Sequence, residues 1–298
     1  MGGLLDRWRR FRREVLGINA RNLSLVYPLN PRREMPLADD KLLAKTLFER
    51  AGVPAPRTLA VFEKFSDLPR VDGLLDHPRG FVVKPASASG GNGILVVRRS
   101  ESGELVSPGP RGEIAVGWRE IREHVCQILS GMCSPSRVWE RAFAEELVEA
   151  DEVLGSIGVG GLPDLRVLVH RGEPVMAMLR VPTRRSRGKA NLHQGAVGLG
   201  IDMESGRTTG GILGIRRIDE HPDTGTKLRG IAIPHWPEVL RCSRWAAECV
   251  DLGYLGVDVV IDRERGPMVI EVNARPGLNI QLANGRGLRS VLAAREAS

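Results

Sequence analysis

Two apolar segments separated by a short charged turn, GVDVVID at residues 256–262 and MVIEVN at 268–273, decide the fold class of this chain. Valine-rich segments on both sides of a turn that contains glycine predict an antiparallel β-hairpin. If residues 263–266 form a four-residue loop, Asp258 lies directly opposite Glu271. Because side chains alternate between the two faces of a strand, Glu271 and Asn273 then share that face.

The three polar residues on this face, Asp258, Glu271 and Asn273, predict a metal site. Opposed residues in an antiparallel pair have Cβ atoms about 5 Å apart, a separation at which two carboxylates repel unless a cation lies between them. Two carboxylates and a carboxamide oxygen are hard ligands that suit Mg²⁺, which takes its other ligands from water and substrate phosphates. The alternative is a solvated hairpin, although the apolar residues between the polar ones indicate a sheet that is covered on its other face.

A second motif, FVVKPASASGGNG at residues 81–93, joins a short strand to a glycine-rich loop. The strand delivers Lys84 to the edge of a loop whose small residues allow backbone N–H groups to approach an anion closely. Neither the Walker pattern nor the dinucleotide-binding glycine pattern is present in it. The motif is typical of a polyphosphate site, and a glycine-rich hairpin without a ligand is the alternative. The loop residues predicted to contact phosphate are Ser89, Gly90, Gly91 and Gly93.

A third motif is the acidic run AEELVE at residues 144–149, with Asp164 shortly after it. We interpret the run as a strand that passes into a linker, where backbone groups read an adenine edge, and Asp164 as a carboxylate that holds ribose hydroxyls. The alternative interpretation of the run is an exposed helical turn.

The charge composition indicates what kind of molecule the protein binds. Of 298 residues, 43 are Lys or Arg and 36 are Asp or Glu, so the formal net charge is +7, and only six of the cations are lysines. Such a charge indicates an anionic partner, but the arginines are spread along the chain, which disfavours nucleic-acid binding. No apolar run approaches the length of a spanning helix, so a cytosolic protein is expected.

The cysteines form two pairs, each spaced by seven residues, and there is no Cys-x-x-Cys pattern. This spacing makes zinc binding and a disulfide framework unlikely and predicts that the cysteines line buried faces of two helices, near Glu120–Leu129 and Pro237–Val250. The four are Cys126, Cys133, Cys242 and Cys249.

The amino-terminal third begins with a predicted basic amphipathic helix, Gly3–Gly17, whose apolar stripe comprises Leu4, Trp8, Phe11 and Val15. Docking of the stripe on the protein's own core is one interpretation, and binding to a membrane surface or a protein partner is the other. Asn19–Met35 matches neither structural period, so we expect a loop that wraps around something. A helix capped by Asp39 or Asp40 is predicted over Lys41–Arg50.

Farther along, a second hairpin is predicted from Leu165–His170 and Val175–Val181. Its turn length decides whether Arg166 and Arg180 share a face, and the sequence leaves this open. The Gly-, Arg- and Thr-rich segments Gly155–Pro163 and Thr183–Gly230 are predicted to be loops over a site.

These motifs, in this order, resemble the ATP-grasp ligases, and within them the ribosomal-protein glutamate ligase (RimK) type and its alpha-L-glutamate ligase-like relatives. The resemblance covers Leu37–Leu278. It implies an α/β (α+β) fold with two lobes of mainly antiparallel sheet that clasp ATP, and a leading domain that is reduced or absent. The matching segments are DK at 40–41, GVPAPRT at 52–58, VKP at 83–85, EELV at 145–148, DLRV at 164–167, NLHQG at 191–195 and EVNARPGL at 271–278.

The resemblance also implies a division of the chain and a set of ligands. Residues 1–36 form the amphipathic helix and wrapping loop, 37–144 the first lobe, and 145–298 the second lobe with the metal site. The implied cofactors are ATP and Mg²⁺, with two ions expected and Mn²⁺ as an alternative. The residues implied to contact ATP are Lys41 and Lys84 at its phosphates, Glu145, Glu146, Leu147, Val148 and Asp164 at adenine and ribose, and Lys189 and Asn191 near the triphosphate; Asp258, Glu271 and Asn273 are the implied metal ligands.

The implied activity is an ATP- and Mg²⁺-dependent carboxylate–amine ligase that forms an amide through an acyl phosphate, with glutamate, another amino acid or a peptide as substrate. Arg166, Arg180 and Arg275 are the candidates for holding the carboxylate or acyl phosphate, since guanidinium binds either in bidentate fashion. The alternatives are a phosphotransferase of the same fold and an Arg-rich module that binds membranes or nucleic acid.

Two departures from the family pattern bear on the substrate. Only 40 residues precede Lys41, so the wall that a leading domain would supply is expected from Asn19–Met35 or from a partner. Lys189-Ala190-Asn191 stands where Arg-Ser-Asn is usual, and Arg275 stands where a small residue is often found.

Overall fold

A computed structural model describes residues 13–88, 90–109, 112–134 and 139–296. The chain divides into two units. The small unit comprises Asp40–Lys45 and Ala55–Glu149, and the large unit comprises Met1–Asp39, Thr46–Pro54 and Ala150–Ser298. Most of the predicted amino-terminal helix, including Leu4, Trp8 and Phe11, lies outside the described residues. Within the described residues, no helix combines the length and apolar character needed to span a membrane.

The small unit is built on a six-stranded sheet in which neighbouring strands run antiparallel, in the order β1-β6-β2-β3-β4-β5. One helix, Trp118–Leu129, buries Ile121, Val125, Ile128 and Leu129 against this sheet, as their helical spacing requires. A 3₁₀ helix over Phe65–Leu74 adds Val71 and Leu74 to the same core. The strands are β1 (Thr58–Phe62), β2 (Gly80–Pro85), β3 (Leu95–Arg99), β4 (Leu105–Gly109), β5 (Gly112–Ala115) and β6 (Ala142–Glu146).

The large unit contains an eight-stranded antiparallel sheet in the order β11-β10-β9-β8-β7-β13-β14, with β12 paired to β10. Strand β13, which lies between β7 and β14, is buried along its whole length, and this burial explains its nearly continuous apolar sequence. The strands are β7 (Asp164–His170), β8 (Glu173–Val181), β9 (Val197–Ile201), β10 (Arg207–Leu213), β11 (Arg216–Ile218), β12 (Arg229–Ala232), β13 (Tyr254–Asp262) and β14 (Gly266–Asn273).

Most of the other helices in the described part of the chain are short. Asp40 Oδ1 accepts the N–H groups of Leu42 and Leu43, at 3.0 and 3.1 Å, and so caps the predicted helix, which runs from Lys41 to Ala51. The other helical segments are Ile18–Arg21, the π-helical Asn22–Val26, Tyr27–Leu29, Met35–Asp39, Glu152–Gly155, the 3₁₀ turn Leu192–Gln194, Trp236–Val250, Ile280–Asn284 and Leu288–Glu296.

The antiparallel sheets confirm the predicted fold class, but three local predictions were wrong. Asn19–Met35 is largely helical, and its π-helical part explains the missing period, since a π-turn adds a residue to each turn of helix. Cys133 lies beyond the end of its predicted helix, which stops at Leu129. Thr183–Gly230 contains strands β9, β10 and β11 and the start of β12, so it is not an open loop.

The strands of that segment were not predicted because its glycines lower the β propensity. At Gly200 on β9, a Cβ atom would lie 2.6 Å from the carbonyl oxygen of Ala283 and 2.7 Å from Thr209 Oγ1. The helix Ile280–Asn284 therefore packs against the backbone of β9, where only glycine leaves room. Glycine lowers the β propensity of a strand but marks such close approaches.

Candidate active site

In the small unit, two lysines share one buried carboxylate. The Glu145 side chain on β6 bonds to Lys84 on β2 and, at 2.8 Å, to Lys45 Nζ on the helix Lys41–Ala51. Val82 is the cross-strand partner of Glu145, so Lys84 is its diagonal neighbour on the same face. Both ammonium groups also lie over the ring of Phe143, 5.9 and 5.4 Å from its centroid. The cluster carries one excess positive charge.

Lys45 is the member of this cluster that was not predicted from the sequence. Its Nζ also donates to the carbonyl oxygen of Pro56. Burial lowers the pKa of Lys45, and the neighbouring carboxylate opposes that shift only in part. Burial alone would raise the pKa of Glu145, but the two adjacent lysines outweigh it and hold the pKa below its usual value. A signal for Lys45 was its place four residues after Lys41, on the same helix face.

The glycine loop follows β2 and is anchored at both ends. Lys41 Nζ donates to the carbonyl oxygen of Ala88, at 2.5 Å. At the far end, a ring nitrogen of His124 lies 2.9 Å from the carbonyl oxygen of Gly93. Gly90, Gly91 and Gly93 have φ angles of 71°, 72° and 72°, a left-handed backbone that favours glycine. Ser89, also predicted here, lies outside the described residues.

The His124 anchor makes stability depend on pH. Burial lowers the pKa of His124, and its bond to the Gly93 carbonyl opposes this only in part. Below about pH 6.5 the unfolded chain therefore binds a proton that the folded chain resists, so stability falls as the pH falls. We expect His124→Gln to lose less stability than the wild type between pH 7 and pH 5 in urea titrations. His193→Gln, at an exposed histidine, is the control; an identical pH slope for His124→Gln and the wild type would contradict the prediction.

The predicted linker follows β6, which ends at Glu146. Glu146 bonds to Arg57 Nε at 3.0 Å, whereas the side chain of Glu145 belongs to the lysine cluster. Leu147 and Val148 continue in irregular conformation. The division between the two units falls after Glu149.

In the large unit, the hairpin β13–β14 pairs Asp258 with Glu271, as predicted, although its turn is not the predicted one. Asp262 pairs with Gly266, so the connecting loop has one residue fewer than expected. A β-bulge at Ile270, between the pairs Val259–Val269 and Asp258–Glu271, adds a residue and restores the register. The two deviations cancel, and the polar residues share one face.

Two arginines from neighbouring strands occupy the same face. Arg166 on β7 is the cross-strand partner of Asp258, and Arg180 on β8 is the partner of Asp164. The turn has only two residues, Arg171 and Gly172, and a bulge at Val175 then shifts the register by one residue, which places both arginines on one side of the sheet. The structure thereby answers a question that the sequence left open.

Asp258 lies at the centre of a buried network of charges. Its two oxygens accept bonds from Arg166, including Nη2 at 2.6 Å, and from Arg180 Nη2 at 2.9 Å. Arg180 also bonds both oxygens of Asp164, with Nη2 at 2.6 Å. Burial alone would raise the pKa of Asp258, but the two guanidinium groups outweigh it and hold the pKa below the usual range. Burial raises the pKa of Asp164 to about 6, with Arg180 opposing and Asp258 adding to the shift.

The Arg166 side chain of this network needs space beside β13, and Gly256 provides it. Gly256, also on β13, would as alanine place a Cβ atom 3.0 Å from Arg166 Cδ and 2.8 Å from Pro276 Cβ. The glycine is thus the residue that admits the Arg166 side chain to the face of Asp258. Asn273 Nδ2 lies 3.4 Å from Asp258 Oδ2, and Glu271 and Asn273 are half-buried.

The remaining predicted site residues lie elsewhere in the large unit. Asn191 Oδ1 accepts the N–H of His193, at 3.0 Å, and so caps the short 3₁₀ turn. The backbone N–H of Lys189 donates to the carbonyl oxygen of Ser186, at 3.1 Å. Arg275 is exposed, with Nη1 3.7 Å from Asp39 Oδ2 and Nη2 3.6 Å from the sulfur of Met35.

The donor set at the hairpin fits Mg²⁺ in its chemistry, since Asp258, Glu271 and Asn273 supply hard oxygens. A carboxylate has about four acceptor positions, and guanidinium N–H groups already occupy most of those of Asp258. Coordination by Asp258 therefore requires the exchange of a guanidinium bond for the ion. Within the described ranges, no three His, Cys, Asp or Glu side chains form a metal-binding group, so a site at the hairpin depends on the amide of Asn273.

A protein-family model covers both of the sheets described above. The family model of sugar-transfer associated ATP-grasp proteins matches residues 20–297. The chain belongs to this ATP-grasp family. The match begins at residue 20, so it includes most of the helical segment that precedes Lys41 as well as both sheets.

Two curated relatives of this ATP-grasp chain carry ligase or synthetase names. A cyanophycin synthetase from Crocosphaera subtropica is 24% identical over 283 residues, which cover 87% of this chain and 30% of the relative. A probable alpha-L-glutamate ligase from Thioalkalivibrio sulfidiphilus is 26% identical over 264 residues, which cover 87% of this chain and 64% of the relative. The chain thus spans less than two thirds of the length of both relatives.

The fold of this ATP-grasp chain also has a counterpart among solved structures. The crystal structure of the D-cycloserine synthetase DcsG superposes with a TM-score of 0.52, covering 90% of this chain and 73% of the other, at 18% sequence identity. At that identity the likeness concerns the fold alone.

Proposed function

We propose that this chain is an ATP- and Mg²⁺-dependent carboxylate–amine ligase that forms an amide bond through an acyl phosphate. The observation that carries the proposal is the face of the large sheet on which Asp258 pairs with Glu271 beside Asn273 and two guanidinium groups. Oxygen donors for a cation next to bidentate anion-binding groups suit a reaction between a carboxylate and a nucleoside triphosphate. The synthetase and ligase names of the two relatives support the same class of reaction.

The reaction has two balanced steps. A substrate carboxylate oxygen attacks the γ-phosphorus of ATP, the bond from that phosphorus to the β,γ-bridging oxygen breaks, and ADP leaves. The amine nitrogen of the second substrate then attacks the acyl carbon, inorganic phosphate leaves with the former carboxylate oxygen, and the nitrogen loses a proton to solvent. Catalysis in such transfers is mostly positioning and neutralisation of charge.

We assign the phosphates of ATP to Lys41, Lys84 and the glycine loop, because these groups supply cations and backbone N–H donors in the small unit. The backbone of Glu145–Val148 is proposed to read the adenine edge. Asp164 is proposed to hold the ribose, for which it must exchange a bond to Arg180. Lys189 and Asn191 are proposed to lie near the triphosphate.

Asp258, Glu271 and Asn273 are proposed to hold Mg²⁺, with two ions expected. When bound, Mg²⁺ neutralises charge on the phosphate oxygens. Any guanidinium bond that Asp258 gives up to the ion leaves Arg166 or Arg180 able to hold the substrate carboxylate or the acyl phosphate. Arg275 is the third candidate for this role.

The proposed substrates are a small carboxylate and an amine, with glutamate, another amino acid or a peptide as the first choice. The alpha-L-glutamate ligase name of one relative supports amino-acid substrates. The test measures ADP release with each carboxylate, with and without amines, and identifies the product by mass spectrometry. A phosphorylated end product would show the alternative, a phosphotransferase.

A substitution in the hairpin β13–β14, which carries the proposed metal ligands, tests the same proposal directly. We expect Glu271→Ala to lower kcat/KM for ADP release by roughly 100-fold or more, because a bound metal ion contributes several kcal/mol of charge stabilisation. Mg·ATP binding, followed by calorimetry, should weaken in parallel. Glu173→Gln, at an exposed carboxylate of the same unit, is the matched control, and unchanged Mg·ATP binding in Glu271→Ala would refute the assignment.

A further inference from the structure

The large unit contains a cavity of about 660 Å³ next to the end of the hairpin β13–β14. Arg275, two residues after Asn273, lines it on one side. Every other lining residue precedes Lys41, and five of these seven lie in Asn19–Met35, the segment predicted to supply the substrate wall. The seven residues are Tyr27, Asn30, Pro31, Arg32, Met35, Pro36 and Asp39.

Buried hydrogen bonds hold this wall in place. The Asn30 side chain donates to the carbonyl oxygens of Tyr254, at 2.7 Å, and Ala274, at 3.0 Å, and accepts the N–H of Tyr254, at 3.0 Å. Buried Arg21 donates to the carbonyl oxygen of Pro276, at 2.8 Å. The segment is thus bonded to the start of β13 and to the residues that follow β14. A wall fixed in this way is already ordered before any ligand binds, which reduces the entropic cost of binding.

The charges in the cavity are paired but accessible. Arg275 Nη1 lies 3.7 Å from Asp39 Oδ2, and the two side chains are 49% and 60% exposed. Exposed ion pairs contribute little to stability, so a ligand can replace this one at little cost. Exposed Arg32 adds a second guanidinium, and Tyr27 and Met35 add apolar surface.

A cation and an anion side by side are complementary to a molecule that carries both charges on one carbon. A guanidinium binds a carboxylate through two parallel N–H bonds, and a carboxylate accepts bonds from an ammonium group. We propose that the cavity binds an α-amino acid, free or at the end of a short peptide, with its carboxylate on Arg275 and its ammonium on Asp39. This inference rests on the proposed ligase function and assigns the place of the amino-acid substrate.

The test measures binding without turnover. L-Glutamate and L-glutamyl-L-glutamate are titrated into the full chain by saturation-transfer NMR, with isoglutamine, which lacks the α-carboxylate, and 2-hydroxyglutarate, which lacks the ammonium. We expect Arg275→Gln and Asp39→Asn each to raise the Kd for L-glutamate about tenfold or more, since each substitution removes a hydrogen bond between charged groups. Arg275→Gln should no longer distinguish glutamate from isoglutamine, and Asp39→Asn should no longer distinguish glutamate from 2-hydroxyglutarate. Tighter binding of the dipeptide would indicate a peptide end.

The matched controls are Arg244→Gln and Glu173→Gln, which break an exposed ion pair of the same unit with side chains 46% and 56% exposed. The proposal is overturned if neither glutamate nor the dipeptide binds the wild type, or if the cavity variants bind them as the controls do. Mg·ATP binding is measured on the same samples. Normal Mg·ATP binding without amino-acid binding overturns the cavity assignment alone, whereas amino-acid binding with no ADP release from any substrate pair overturns the ligase proposal.

Discussion

Glu145→Gln is expected to lower the free energy of unfolding of the small unit by about 3–5 kcal/mol, the cost of removing one partner from a buried ion pair. The substitution leaves the side chain's shape but removes the negative charge between Lys45 and Lys84, which are both buried. Two ammonium groups would then face each other without a counter-ion. Urea titration followed by tryptophan fluorescence measures the loss.

The neighbouring acid supplies the control for this prediction. Glu146 pairs with Arg57, whose side chain is 70% exposed, so Glu146→Gln should cost less than about 1 kcal/mol. A second variant, Glu145→Gln combined with Lys45→Met, removes one of the two unpaired cations and should recover part of the stability. Equal stability of Glu145→Gln and Glu146→Gln would show that the buried cluster does not hold the unit together.

Arg180→Met is expected to destabilise the large unit by a similar amount, about 3–5 kcal/mol. The guanidinium joins Asp164 to Asp258, and all three side chains are largely buried. Without Arg180 the two carboxylates repel each other, and Asp258 keeps only Arg166 as a charged partner. Thermal unfolding of the variant measures the effect.

A compensating variant makes this second prediction specific to charge. Arg180→Met combined with Asp164→Leu replaces one buried ion pair with apolar side chains, a change that is often neutral or stabilising. The double variant should therefore melt at a higher temperature than Arg180→Met alone. Arg244→Gln, at the surface of the same unit, should melt like the wild type; a double variant less stable than Arg180→Met would attribute the loss to packing instead.

The hairpin shows how far a sequence can predict a site. Period-two alternation correctly placed Asp258, Glu271 and Asn273 on one face, because alternation is a property of every strand. The turn length and the bulge at Ile270 are local departures from the regular register, and composition carries no signal for them. The prediction of the Asp258–Glu271 pair was correct because the two departures cancel.

Other features of the site could not be predicted from the sequence. That Arg166 and Arg180 both bond to Asp258 depends on the bulge at Val175, so only the folded register decides it. Lys45 had a spacing signal, but its pairing with Glu145 joins residues 100 positions apart. The wall of the cavity depends on a π-helical segment and on Asn30, whose partners lie more than 220 residues away.

The order of the segments along the chain sets the order in which the units can be completed. All parts of the small unit have been synthesised by residue 149, whereas the large unit combines residues before 55 with residues after 149. The side chains of Asn30 and Arg21 bond to backbone carbonyl groups at residues 254 and 274–276, which are synthesised much later. During translation, the lysine–glutamate cluster can therefore form well before the cavity wall is anchored. The long-range hydrogen bonds of the amino-terminal segment can form only after the last hairpin has been synthesised.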